Sequence, residues 1–358
     1  MINRGHNVCI LAYLRPEQLP QPESFVPSDV IRHELLHRTL YFDDVIGDIE
    51  NLYWFNVKDS LREVLGQTKV IIAHFAHTPA QIAERLSYFG QRPFAFYCHG
   101  YDLYSDARPI DLSDCARRAR FVVTISKHNR RFLQNLLDED LHSKVRVIYS
   151  GIDLAVFSIS SQTRAYRQKD SGVVRILSVG RLVEKKGFPD TLEAFWAVRS
   201  RYDSELRIVG DGPLRDSLVE LAKTLGVSRS VHFLGQLPNE LVLEELRQAH
   251  IFILPSCTAT NGDREGLPKT LVEAAAMELP IVSTRHSGIP EVVMNNKGGF
   301  LVKEHDVQGL TQGMMRLIEQ PLLRPEMGEQ GRRIVCERFD LQKELDSIEA
   351  LFYEMISG

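Results

Sequence analysis

The chain has 358 residues, a formal net charge of −4, 25% charged and 44% hydrophobic residues, a soluble globular profile with material for two cores. It has no overall basicity that would point to nucleic acid. Five scattered cysteines, Cys9, Cys98, Cys115, Cys257 and Cys336, form no close pair for zinc or a redox disulfide, and they indicate a reducing cytosol. The apolar run 8–14 is too short to span a bilayer and is followed by Arg15-Pro16 rather than a cleavage site, so any membrane contact is expected to be peripheral.

In chain order, a Gly5-His6-Asn7 turn feeds an apolar strand at once, as if a preceding unit were missing. Residues 25–46 mix charged and apolar types without a clean period, and 52–65 read as a helix. Strands follow at 69–73, 93–97, 121–125 and 145–148, with helices at 79–88, 112–119 and 127–137 between them. The polar stretch 158–172 shows no apolar period and reads as the link to a second alternating series. There, strands at 174–179, 206–209, 231–234, 251–254, 281–284 and 300–302 alternate with helices at 189–202, 214–225 and 240–249 and one starting at Pro268. A short helix from Pro290 and three terminal helical segments complete the pattern. Strand-helix alternation of this kind predicts two α/β, doubly wound, Rossmann-like domains, and ligands in such sheets bind beyond the carboxyl ends of the strands.

The chemistry gathers at those ends. Glu265 and Glu273 stand with seven residues between them, across a loop and the start of a helix. Gly266 allows close backbone approach, Pro268 suits the first helical turn, and free N–H groups there favour phosphate or sugar oxygens. The plainer alternative makes Glu273 the partner of Lys269 on a solvated face, in the weaker ion-pair order. Arg181 and Lys186 flank a glycine-bounded loop directly after a strand, which suits a diphosphate, or else they are surface bases. His99 closes another strand, with Asp102 three residues on to orient its imidazole. His74 and His77 suggest structural or substrate-lining roles rather than a metal, and Asp138-Glu139-Asp140 reads as exposed acid. The helix bearing Lys127, Arg130 and Arg131 is a solvated face over a core stripe or, alternatively, a contact for anionic lipid.

The ordered set Gly180-Arg181-Leu182, Lys186-Gly187, Gly210-Asp211-Gly212, Phe233-Leu234-Gly235 and the Glu265/Glu273 pair resembles glycosyltransferase family 4, retaining enzymes of the GT-B fold, over nearly the whole chain. CTATNGDREGLPKTLVEA, STRHSGIPE and CHGYDL look like the enzymes of colanic acid and amylovoran exopolysaccharide assembly. The resemblance implies an acceptor-side domain at 1–157, a donor domain at 158–340, and a terminal helix at 341–358 crossing back. It implies a nucleotide sugar of UDP or GDP type as donor, an oligosaccharide or lipid-linked acceptor, no metal, and a place in the cytoplasm or at the cytoplasmic face of the inner membrane. Arg181 and Lys186 would bind the diphosphate, with Gly210 and Gly235 beside them, and Glu273 would hold the ribose. Glu265, with the amides near Gly266 and Leu267, would contact the donor sugar, His99 would approach its reacting face, and His74 and Asp102 would lie on the acceptor side.

One departure stands at the start: family members open with a strand, a glycine-containing loop and a helix before the segment matching residues 4–8, and that unit is absent. The expectation is a misplaced start codon or a chain with impaired catalysis, and a nucleotide-sugar binding protein is the alternative function. A nicotinamide dehydrogenase fits poorly, since no G-x-G-x-x-G follows a strand.

Overall fold

Strands joined by helical crossovers all run the same way, and the crossovers cover both sheet faces, so such strands are continuous apolar runs. The computed structural model describes residues 9–12, 38–41, 65–104, 111–168 and 172–357. Two short parallel strands come first, β1 (Cys9–Ala12) and β2 (Arg38–Tyr41), with Cys9 opposite Arg38. β2 lies within the stretch that shows no period in the sequence. The opening turn at 5–7, and all but the last residue of the helix expected at 52–65, lie outside the described residues.

A four-stranded sheet follows, with β3 (Ile71–His74), β4 (Phe94–Cys98), β5 (Phe121–Thr124) and β6 (Val145–Val147) in that order. Every residue of β4 and β5 is buried. The connections carry α1 (Thr78–Gly90), α2 (Leu112–Arg118) and α3 (Lys127–Gln134). α2 and α3 start at side-chain caps: Asp111 accepts the Asp114 N–H at 2.9 Å, and Ser126 accepts the Asn129 N–H at 3.0 Å.

The polar stretch read as a link is in part a helix, α4 (Ser161–Gln168), started by the Thr163 N–H donating to Ser160 Oγ. It has no apolar stripe because arginines dock it. Arg164 forks onto Glu278, and Arg167 donates to the carbonyls of Leu246, Arg247 and Met277. Those carbonyls close two helices, where a cation is favoured. Burial pulls the Arg167 guanidinium down to about 10. Arg167→Ala is expected to cost about 2–4 kcal/mol, because it strands buried acceptors; denaturant unfolding measures it, and a loss within error of zero would mean that α4 is not docked.

The second series forms a six-stranded parallel sheet from β7 (Val174–Val179), β8 (Ser204–Val209), β9 (Val231–Gly235), β10 (Ile251–Leu254), β11 (Ile281–Thr284) and β12 (Gly299–Val302). Its spatial order is β12-β11-β10-β7-β8-β9. The chain therefore winds outward from β7 in one direction, then returns to β10 and winds in the other, with Ile176 opposite Ile251 where the direction switches. Helices α5 (Phe188–Arg199), α6 (Arg215–Thr224), α7 (Asn239–Gln248) and α8 (Lys269–Ala276) are crossovers, followed by α9 (Val307–Glu319), α10 (Leu323–Arg338) and α11 (Leu341–Ser357). α9 packs on α5 and α10 on α8, and Phe188, Phe195, Phe252 and Phe339 are fully buried in the core they make.

Packing divides the chain into two units, one of Met1–Tyr97, Pro109–Val122 and Leu345–Gly358, the other of Cys98–Arg108 and Val123–Glu344. The segment from His99 to Tyr104 thus belongs with the second unit. Among the described residues no helix is long and apolar enough to cross a membrane.

Candidate functional site

The crevice of a doubly wound sheet opens where the strand order switches, between β7 and β10. Their loops touch there: Gly187, in the left-handed region at φ 67, lies so close to the β10 end that a Cβ would sit 2.0 Å from the Pro255 carbonyl oxygen. Gly210, at φ 133, seals the other side, its N–H donating to Gly235 O at 2.8 Å and its Cα facing Gly180 O. The loops after β7, β8 and β9 are thereby stacked edge to edge.

Lys186 lays its stem over Gly180 and brings Nζ to 3.2 Å from Glu265 Oε2. Lys185 reaches the same carboxylate at 3.6 Å and Asp263 at 3.0 Å. Two cations and two carboxylates therefore meet at one end of the sheet. Arg181 is exposed and forms no ion pair among the described residues. Glu273, in α8, is half-buried and its carboxylate accepts no hydrogen bond among the described residues; burial raises its carboxyl above the usual range against the opposing pull of Lys269.

His99 enters from the carboxyl end of β4. Asp102, buried within one helical turn at Tyr101–Tyr104, accepts the backbone N–H of His99 at 2.8 Å, so the carboxylate fixes the main chain that carries the imidazole. Burial pushes the imidazole below its ordinary value and Asp102 opposes this, which leaves it neutral at pH 7. Gly100 brings this turn against the 264–266 backbone: a Cβ there would lie 2.7 Å from the Gly266 nitrogen. Asn129 ties the turn down, with Oδ1 accepting the Tyr104 hydroxyl at 2.7 Å, while the Arg264 guanidinium stands 6.0 Å from the centre of the Tyr104 ring. The structure thus brings His99, Asp102, Glu265, Gly266 and Leu267 into one neighbourhood, and Lys186 joins them through Glu265. His74 lies in the other unit, stacked on Tyr97 at 4.7 Å.

Several residues of this site escape the sequence reading, Asp263 among them. Lys185 is masked by its neighbour Lys186. His286, buried just beyond β11, and Glu304, just beyond β12, bond each other at 2.7 Å, and His286 Nε2 accepts the Glu265 N–H at 3.2 Å. Both occupy the strand-end position that singles out His99, and that rule applied to every strand would have found them. Glu291 also matters: its carboxylate accepts the Lys127 and His128 N–H groups at the start of α3, each at 2.9 Å, and the Tyr149 hydroxyl at 2.7 Å. Asp138, Glu139 and Asp140 are exposed, as expected of surface acid, and Lys127, Arg130 and Arg131 point outward over buried Leu133. Among the described residues no cluster of three or more His, Cys, Asp or Glu side chains could hold a metal ion.

Comparison with known proteins identifies the family and the fold. Residues 1–156 match the family described as Glycosyltransferase Family 4, and residues 161–334 match Glycosyl transferases group 1. The amylovoran biosynthesis glycosyltransferase AmsK of Erwinia amylovora is 37% identical over 49% of this chain and 42% of its own length. The putative colanic acid biosynthesis glycosyltransferase WcaL of Escherichia coli is 34% identical over 68% of this chain and 60% of its own. The chain thus spans about half the length of the curated relatives it matches. Among solved structures, Anabaena Alr3699/HepE in complex with UDP and glucose superposes with a TM-score of 0.68 at 20% identity, over 81% of this chain and 80% of that one. The two family matches leave only 157–160 and 335–358 uncovered, and with the four-stranded and six-stranded sheets they show that the chain belongs to glycosyltransferase family 4, of the GT-B fold.

Proposed function

We propose that the chain is a retaining glycosyltransferase that moves a sugar from a nucleoside-diphosphate sugar, of UDP or GDP type, to an oligosaccharide or lipid-linked acceptor in exopolysaccharide assembly. One observation carries the reading: at the carboxyl end of the second sheet two cations, Lys185 and Lys186, meet the carboxylates of Glu265 and Asp263, while Glu273 in α8 is half-buried with its carboxyl raised by burial. A half-buried carboxylate of this kind gains most from a ligand hydroxyl, which suits a ribose. The relatives named for amylovoran and colanic acid biosynthesis, and the structural neighbour solved with UDP and glucose, support the same class.

In this reading, residues 158–340 hold the donor and 1–157 serve the acceptor. The bond from the sugar's anomeric carbon to the phosphate oxygen breaks, the bond to the acceptor oxygen forms on the same face, and the acceptor proton passes to the departing phosphate. Negative charge grows on that phosphate oxygen, where Arg181 and Lys186 stabilise it. They supply the charge that a divalent metal supplies in other transferases, so no metal enters the reading. Neutral His99 can donate to a sugar hydroxyl near the reacting face, and the N–H groups of Gly266 and Leu267 to the sugar's oxygens. The chain would work at the cytoplasmic face of the inner membrane, with Lys127, Arg130 and Arg131 toward anionic lipid.

Thermal unfolding with saturating UDP and, separately, GDP tests the donor site. A ligand at a hundred times its dissociation constant adds about 2.7 kcal/mol, so one of the two should raise the midpoint by several degrees. No shift with either, on a chain that unfolds cooperatively, counts against Arg181, Lys186 and Glu273 as a donor site.

A further inference from the structure

We infer that His286 and Glu304 form a positioning pair that holds the Glu265–Gly266 backbone in the one orientation that presents its amides to a donor sugar; the inference rests on the donor-site reading above. A neutral imidazole has one ring proton and one lone pair. His286 Nε2 lies 3.2 Å from the Glu265 backbone nitrogen, whose hydrogen it must accept, so the ring proton is on Nδ1, pointing at Glu304 Oε1 at 2.7 Å. Glu304 sets the tautomer, and its other oxygen accepts the Thr258 N–H at 2.8 Å. Loops after β10, β11 and β12 are thereby joined through two side chains.

The next turn of the same loop completes the grip. The Gly288 N–H donates to Gly266 O at 2.9 Å, and a Cβ at Gly288 would fall 2.6 Å from that oxygen. Residues 286–288 therefore engage the Glu265 N–H and the Gly266 carbonyl together. The N–H groups of Gly266 and Leu267 remain, and they donate to nothing among the described residues. Two adjacent peptide N–H groups fixed in this way suit the hydroxyl or ring oxygens of a sugar.

The pair is built for the neutral imidazole. Protonation would turn Nε2 into a donor facing another donor, and the Glu265 N–H would lose its acceptor. Glu304 and Glu265 pull the imidazole upward, Arg264 pushes it down, and burial outweighs both, so the ring sits below its ordinary range; His128 also faces it. His286 is 2% exposed, and the ion pairs of Glu265 with Lys185 and Lys186 do not involve it.

Calorimetric titration of the full chain with the bare diphosphate, UDP or GDP as the melts select, and with UDP-glucose or GDP-mannose of the same base, tests the assignment. His286→Leu should bind the bare diphosphate as the wild type does and the nucleotide sugar about tenfold more weakly, the scale typical of losing a group that orients a binding residue. The wild type should bind the nucleotide sugar more weakly as the pH falls and His286 gains a proton; His286→Gln, whose amide oxygen can take the place of Nε2, should recover most of the affinity lost in His286→Leu and show no such weakening. An equal loss for both ligands, or a change in neither, would overturn the positioning role. Failure of the wild type to bind any of these ligands would overturn the donor-site reading instead. Should His286→Leu not fold, Glu304→Leu carries the same comparison, because that side chain is 32% exposed and its removal leaves no core cavity.

Discussion

Replacing Lys186 with alanine is expected to lower sugar transfer by about 10²–10³-fold while the fold persists, the scale measured when one preorganised donor to a developing charge is removed. Lys186 is the candidate phosphate ligand whose place the structure fixes most firmly, with its stem across Gly180 and its ammonium 3.2 Å from Glu265. Its loss does not strand a buried charge, because Lys185 still faces Glu265 at 3.6 Å. The defect should therefore appear in turnover rather than in the melting curve. The check is the initial rate of nucleoside diphosphate release with saturating donor and acceptor. A fall of less than about tenfold, well under what such a group contributes, would remove Lys186 from the reacting centre. Arg181→Ala should have a similar effect, and the double variant should lose less than the product of the two, since both act on the same phosphate.

Gly187→Ala is expected to be strongly destabilising, costing about 2–4 kcal/mol. Two penalties combine: φ of 67 is unfavourable for any residue with a Cβ, and that Cβ would stand 2.0 Å from the Pro255 oxygen and 2.9 Å from its carbonyl carbon. Gly226 separates them, since it has φ 72 and nothing within 4 Å of an added Cβ. Gly226→Ala should show the backbone term alone, about 1 kcal/mol. Urea unfolding of the two variants measures the difference, and equal losses would mean that the β7 and β10 loops do not meet as closely as described.

The strands of the second sheet were the most legible part of the chain. β7, β10 and β11 begin and end where they are expected, at 174–179, 251–254 and 281–284, because strands covered on both faces are rich in apolar side chains, as the IFIL of β10 shows most plainly. α4 shows the opposite case. It buries no stripe, and its anchors are carbonyls 80 and 110 residues away, so no window of local sequence contains the reason it is helical. β2 is four residues of mixed polarity and offers no period to read. The candidate site divides along the same line. Arg181, Lys186, Glu265, Glu273 and His99 announce themselves through residue type and strand-end position. The bond between His286 and the Glu265 amide depends on which strands are neighbours, and that is visible only once β10 and β11 are paired. Asp102 acts on the His99 imidazole by its charge and also accepts the His99 backbone N–H, a second contact that residue spacing does not show.

The docking of α4 sets where this chain can be recombined. Family members could exchange their second halves and so, in the proposed reading, their donor preferences, but only if the splice keeps each helix with the sheet that its arginines clamp. A junction at 158–160, ahead of the helix, transplants Arg164 and Arg167 together with Glu278 and the carbonyls they hold. A junction on the far side of the helix joins foreign arginines to those acceptors, and the hybrid inherits a broken clamp. The polar segment between the halves, which looks like the natural place to cut, contains the reason to cut before it.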